Sequence, residues 1–118
     1  EGKTNPVVKG EMKVKDVLLR ITGARAGSAS VVDKKGILIG IFTDGDLRRH
    51  LETDAGLSGR QVKNVMTKNP ITISKDMLAA DAFRILRERK IDEIPVVDKR
   101  RRPIGLIDVQ DLLKAGLV

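Results

Sequence analysis

Apolar residues recur at helical spacing in two places along the chain. Val14, Val17, Leu18 and Ile21 fall at i, i+3, i+4 and i+7, and Ala79, Ala82, Phe83 and Leu86 repeat that spacing at an offset of 65. Each set lines one face of a helix. After each helix the period changes. Residues 29–32 and 37–42, and later 94–97 and 103–107, are short, continuously apolar, β-rich runs. That pattern predicts strands covered on both faces. Asp33-Lys34-Lys35-Gly36 joins the first two runs and the segment from Asp98 to Pro103 joins the second two, in hairpin fashion. A second helix follows each hairpin.

The two halves match residue by residue. Residues 31–47 read VVDKKGILIGIFTDGDL and residues 96–112 read VVDKRRRPIGLIDVQDL, with eight of 17 positions identical at the offset of 65. Upstream, Asn5-Pro6-Val7 echoes Asn69-Pro70-Ile71 with one residue of slip. Residues 53–64, with Gly56 and Gly59, read as a linker between a first unit (1–52) and a second (65–118). Val62 and Val65-Met66 are expected to dock a short helical turn. A unit of roughly 50 residues cannot bury enough surface alone. Two β-α-β-β-α units packed sheet to sheet about a pseudo-two-fold axis can, so the expected class is α/β (α+β).

Composition narrows the function. Hydrophobic residues are 41% and charged residues 33%, the balance of a soluble globular protein. With no Trp, no Tyr and only Phe42 and Phe83, the core must be built from Val, Ile, Leu and Met. The absence of cysteine excludes disulfides, thiolate zinc sites and a cysteine nucleophile. The single histidine, His50, cannot make a histidine-rich metal site or a proton-relay pair. It is expected at the surface near a helix C-terminus. No nucleophile–base pair can be assembled, so neither a catalytic site nor a metal site is expected here. No apolar run approaches the roughly 18 residues that span a bilayer. With no signal peptide visible either, a cytoplasmic setting is the default. The chain starts at Glu1, and is read as a fragment whose missing part lies upstream.

The net charge of +7 raises the question of nucleic acid. The cations gather at Lys34-Lys35, Arg48-Arg49, Arg87 to Lys90 and Lys99 to Arg102, in turns and exposed helix ends. No aromatic residues sit among them to stack bases. They read as solvated surface, with Arg48 or Arg49 alternatively reaching an anionic ligand or an upstream domain.

Thr43-Asp44-Gly45-Asp46 carries the most chemistry. As a [ST]-x-x-[DE] sequence before an apolar run it is a capping box. The same geometry suits a ligand: helix-start N–H groups attract phosphate, the hydroxyl donates, and the carboxylate accepts from two ribose hydroxyls. The second copy keeps Asp111 but puts Asp108 where Thr43 stands. Asp108 can cap its helix, yet it repels a phosphate held at that spot. The two sites are therefore not equivalent, and the first is favoured. Asn69, Ile71 and Pro95 are expected to line the other pocket. Ala29-Ser30, smaller and without proline, leaves more room near the first. Gly40 and Gly105 interrupt strands, where glycine marks a close approach by a packed partner or a ligand.

The two halves with their "VVD–turn–hhGhhT-x-x-D-h" endings resemble a CBS domain pair, or Bateman module. Within that superfamily, Ile41 to Arg49 and Asp111 to Val118 resemble the C-terminal tail of the bacterial arabinose-5-phosphate isomerase family. The resemblance implies two CBS repeats that sense a small molecule and follow an N-terminal sugar-isomerase domain. That absent domain would carry the acid/base groups that interconvert ribulose 5-phosphate and arabinose 5-phosphate for the Kdo sugar of lipopolysaccharide. The implied effector is an adenine nucleotide or a nucleotide sugar, with Thr43 and Asp46 in the roles such residues hold in nucleotide-binding CBS pairs. Ligand-binding positions are then Gly40, Thr43, Asp46 and Ser30, together with Asn69, Ile71, Pro95, Asp108 and Asp111. The resemblance also implies a homo-oligomer, a dimer of CBS pairs within a tetrameric enzyme. The alternative is a purely structural oligomerisation module with empty clefts.

Overall fold

The computed structural model describes residues 5–114 and Gly116. Residues 1–4 of the first unit, and Ala115, Leu117 and Val118 of the closing motif, lie outside the described residues. The chain runs β1 (Val7–Lys9), α1 (Val14–Ala24), β2 (Ser28–Val32), β3 (Leu38–Thr43), α2 (Asp44–Leu51), β4 (Thr67–Lys68), β5 (Ile73–Ser74), α3 (Ala79–Arg89), β6 (Glu93–Val97), β7 (Pro103–Asp108) and α4 (Val109–Lys114). Among the described residues no helix is long and apolar enough to cross a membrane.

The helices form where the 3.6-residue periodicity put them. Val14, Val17 and Ile21 are the buried residues of α1, and Ala82 and Leu86 those of α3. Both helices end on a left-handed residue, Arg25 (φ 57°) and Lys90 (φ 56°), whose N–H closes back onto the last turn. The hairpin turns also repeat. Asp33 Oδ1 accepts from the N–H groups of Lys35 (2.8 Å) and Ile37 (3.0 Å), and Asp98 Oδ1 accepts from those of Arg100 and Arg102 (both 2.9 Å). The left-handed turn position is Gly36 in the first hairpin and Arg101 (φ 63°) in the second.

Two sheets result, one ordered β1-β2-β3-β4 and the other β5-β6-β7. In each, the lead-in strand runs parallel to the first hairpin strand: Val8 opposes Val31, and Ile73 opposes Val96. Both members of each pair differ by 65, so the repeat holds its offset through the lead-in. The slipped match of Asn5-Pro6-Val7 to Asn69-Pro70-Ile71 has no counterpart in the pairing. Val7 is paired with Ser30, whereas Ile71 precedes β5.

Every residue of β2 is buried. Ala29 and Val31 join Phe42 and the buried face of α1 in one core; Ile94 and Val96 join Leu86 and Leu112 in another. The halves thus have separate cores, and the opposite faces of the two sheets meet at a seam. There the Ser28 hydroxyl donates to Glu93 Oε1 (2.5 Å) and the Gly27 N–H to Glu93 Oε2 (3.2 Å). Ser28 and Glu93 are equivalent at the offset of 65, and equivalent residues touch only near the axis that relates the halves. Further along the seam the Leu38 N–H donates to the Arg101 carbonyl (2.9 Å). The reciprocal bond would start from residue 103, a proline without an N–H.

The segment between the repeats is stitched to the first half. It holds 3-10 turns at Leu57–Gly59 and Val62–Asn64, buries Leu57 and Val62, and donates from Val62 and Lys63 to the carbonyls of Met12 and Gly10. Beyond it, β4 pairs with β3 in the first sheet. That sheet therefore includes Thr67 and Lys68, on the far side of the boundary expected at residue 65.

Candidate ligand cleft

A cavity of about 860 Å³ opens between the two halves. Two strand-to-helix corners and two connecting segments form its wall. The first corner is the start of α2, held by the Asp44 N–H donating to the Gly27 carbonyl (3.2 Å). The second is the start of α4, held by the equivalent bond from the Val109 N–H to the Asp92 carbonyl (3.0 Å). The β4–β5 connection adds Asn69, Pro70 and Ile71, and the α3–β6 connection with the start of β6 adds Lys90, Glu93 and Pro95. Asn69 has a left-handed backbone (φ 50°) where the chain leaves the first sheet for the second.

Thr43 forms the capping box expected of it. Its hydroxyl accepts from the Asp46 N–H (3.1 Å), and Asp46 Oδ2 accepts from the Thr43 N–H (3.0 Å). Asp46 Oδ1 also accepts from the Thr67 hydroxyl (2.8 Å) and pairs with the Arg49 guanidinium. This carboxylate is only 2% exposed. A carboxylate has about four acceptor directions, so three are in use and one remains.

The structure regroups the candidate residues. Asn69, Ile71, Pro95 and Asp108, assigned from the sequence to a second pocket, line the same cavity as Thr43 and Asp46. The pairing of β4 with β3 carries Asn69 and Ile71, at the start of the second repeat, across to the first repeat's helix corner. Asp108 is buried and caps α4 by accepting from the Asp111 N–H (2.7 Å). Its carboxylate thus borders the favoured cleft rather than a separate one.

Ser30, Gly40 and Asp111 are not on the cavity wall. Ser30 is fully buried in β2. Gly40 pairs with Lys68 of β4, and a Cβ there would meet the Met66 sulfur and stand 2.8 Å from the Thr67 carbonyl oxygen. The close approach at Gly40 is therefore a packed strand. Asp111 is exposed on α4. Sequence reasoning missed Thr67, Lys90, Asp92 and Glu93. Arg49 as partner of Asp46 was readable from its i+3 spacing, and Glu93 from its equivalence to Ser28. Nothing local marks Thr67.

Residues 3–53 and 62–118 each match the CBS domain family. The chain belongs to the CBS domain family. It is 44% identical over 103 residues to the arabinose 5-phosphate isomerase KdsD of Pseudomonas aeruginosa, covering 86% of this chain and 31% of that protein. The CBS pair spans about a third of the length of the curated relatives it matches. Among solved structures it is similar to the CBS domain pair of protein MJ0100 in complex with 5′-methylthioadenosine and S-adenosyl-L-methionine. The TM-score is 0.86 at 22% identity, over 98% of this chain and 90% of that one. It is also similar to CBSX2 in complex with AMP, with TM-score 0.78 and 24% identity, over 99% and 97% of the two chains. At these identities the likeness establishes the fold, two CBS repeats face to face.

Proposed function

We propose that this CBS pair is the ligand-sensing module of a bacterial arabinose-5-phosphate isomerase, working in the cytoplasm and binding an adenine nucleotide or nucleotide sugar between its repeats. The observation that carries the reading is the cavity of about 860 Å³ with a capped helix start on one wall and Ile71 and Pro95 on another. Its size suits a small-molecule site. The adenosine-containing ligands of MJ0100 and CBSX2 support the class.

In this reading the repeats are residues 1–52 and 65–118, joined by 53–64. The start of α2 and Thr43 take the phosphate, Asn69 and Ile71 border the base, and Asp46 accepts one ribose hydroxyl. A ligand touching both repeats favours one arrangement of the pair, and that preference is what couples binding to an attached enzyme. Isomerisation needs an acid/base group beside the sugar carbons, which the longer protein supplies outside this module. Copies of the pair associate through the helix faces bearing Leu51 and Leu113, 58% and 49% exposed.

The test is calorimetry with thermal shift against nucleotides and nucleotide sugars. Saturable binding with a raised melting temperature supports sensing, since a ligand specific for the folded state stabilises it. One observation favours a second reading, a structural oligomerisation module: the Asp46 carboxylate is already largely engaged by Thr43, Thr67 and Arg49. Self-association in light scattering with no ligand response would establish that alternative.

A further inference from the structure

A second cavity, of about 300 Å³, lies apart from the cleft, where the end of β5 meets the β6–β7 turn. Four cations line it, Lys75, Lys99, Arg100 and Arg102, against two carboxylates, Asp76 and Asp98. Asp98 is engaged inside the turn: Oδ1 accepts from two backbone N–H groups and Oδ2 from Arg102 Nε (2.8 Å). Lys75, Lys99 and Arg100 form no ion pair among the described residues, and neither does Asp76. Three unpaired cations against one unpaired carboxylate leave a net charge of +2.

The matching place in the first repeat is closed. Lys75 and Asp76 correspond to Gly10 and Glu11 at the offset of 65. There the Lys63 N–H donates to the Gly10 carbonyl (3.0 Å), and a Cβ on Gly10 would stand 3.1 Å from the Lys63 Cβ. The Lys63 ammonium pairs with Glu11 (3.6 Å). In the second repeat a lysine replaces that glycine and borders an open cavity. The hairpin turns differ in the same direction. Where the first has Lys34-Lys35-Gly36-Ile37, the second has Lys99-Arg100-Arg101-Arg102. Successive like charges repel, and an anion seated among them relieves that repulsion.

We propose that this cavity is an anion site for the phosphate monoester group of a small molecule. Such a group carries about −1.5 to −2 at pH 7, which matches the net charge of the wall. The Arg100 guanidinium can meet two phosphate oxygens at once, while Lys75 and Lys99 act as point charges. The Ser74 hydroxyl, also on the wall, can donate a further hydrogen bond. No lining residue is apolar, so the wall recognises the phosphate rather than the group attached to it. The site shares no residue with the cleft and does not depend on nucleotide binding there.

NMR shift mapping with glycerol 3-phosphate, and glycerol as the neutral control, tests this. Saturable shifts are expected at the amides of Ser74 to Asp76 and Lys99 to Arg102, with those of Gly45 and Asn69 unmoved. Inorganic phosphate should compete. Arg100→Gln and Lys75→Gln should each weaken binding about three- to fivefold, the usual worth of an exposed charge contact. Lys34→Gln removes the same charge from the matching hairpin and should weaken it by less than about twofold, because distant exposed charges are screened. Equal losses on the two hairpins would mean that overall charge attracts the anion, and would overturn the site. No saturable shift, or shifts confined to the start of α2, would overturn it as well and leave the reading of the cleft intact. Vesicles containing phosphatidic acid present the same phosphate monoester on a lipid. Binding to them without a response to glycerol 3-phosphate would identify a membrane-facing surface and overturn the proposal.

Discussion

The two helix corners begin from nearly the same sequence plan and end in different physical states. At the first, Asp46 is buried, caps α2 reciprocally with Thr43, and is held by Thr67 and Arg49. At the second, the matched Asp111 is exposed, and its N–H donates to the Asp108 carboxylate. The strands beneath differ in the same sense. Gly40 is crowded by Met66 and the Thr67 carbonyl, whereas among the described residues a Cβ on Gly105 would meet nothing closer than Val96 at 3.7 Å. One short strand accounts for both contrasts. β4 brings Thr67 over the first corner and Met66 onto Gly40, and among the described residues the second sheet has no such strand. Identical residues in a duplicated sequence thus acquire unequal roles from a neighbour that only one copy has.

Alanine substitution at the two glycines should separate the halves most strongly. Gly40→Ala forces a Cβ against the Thr67 carbonyl, and overpacking of this kind costs about 3 kcal/mol. Gly105→Ala should fall within about 0.5 kcal/mol of the parent. Urea unfolding of both proteins gives the comparison, and equal losses would show that β4 does not cover Gly40.

The matched aspartates come next. Asp46→Ala leaves the Thr43 N–H and the Thr67 hydroxyl without their acceptor, at a cost of about 2 kcal/mol. This exceeds the 0.5–1 kcal/mol or so that an isolated cap of this kind contributes. Asp111→Ala should change stability by less than about 0.5 kcal/mol. A double-mutant cycle with Thr67→Val then isolates the share that β4 supplies.

A smaller effect is expected at the seam. Glu93→Ala leaves the buried Ser28 hydroxyl and the Gly27 N–H unpaired, for a loss of about 1–2 kcal/mol. Adding Ser28→Ala should recover part of it, because removing both partners costs less than stranding one. No recovery in thermal melts of the double variant would mean that the two side chains do not act as a pair.

The least effect belongs to the hairpin turns. The backbone N–H of Arg102, followed by its guanidinium and the N–H of Arg100, holds the Asp98 carboxyl below the usual carboxylate range. A carboxyl depressed in the folded state stabilises the fold above its unfolded pKa and loses that contribution as pH falls through the lower folded value. Asp98→Asn should therefore flatten the acid limb of the stability profile slightly. An NMR titration placing Asp98 at or above the ordinary range would contradict this.

The sequence by itself determined the elements and their repetition. The i, i+3, i+4, i+7 sets place α1 and α3, the apolar runs between turn signals place the hairpins, and the Thr-x-x-Asp pattern places the cap of α2. These features depend on residues within a few positions of one another, so local stereochemistry decides them wherever the segment sits. The role of Thr43 as a cap was legible on the same ground. Only the tertiary structure decided which corner meets which lead-in segment. The antiparallel pairing of Thr67 and Lys68 with β3, 26 or more residues away in the chain, has no local signature, since two residues of strand are too few to show a period. That pairing places Asn69 and Ile71 at one cleft with Thr43, and it explains why Gly40 meets a packed strand.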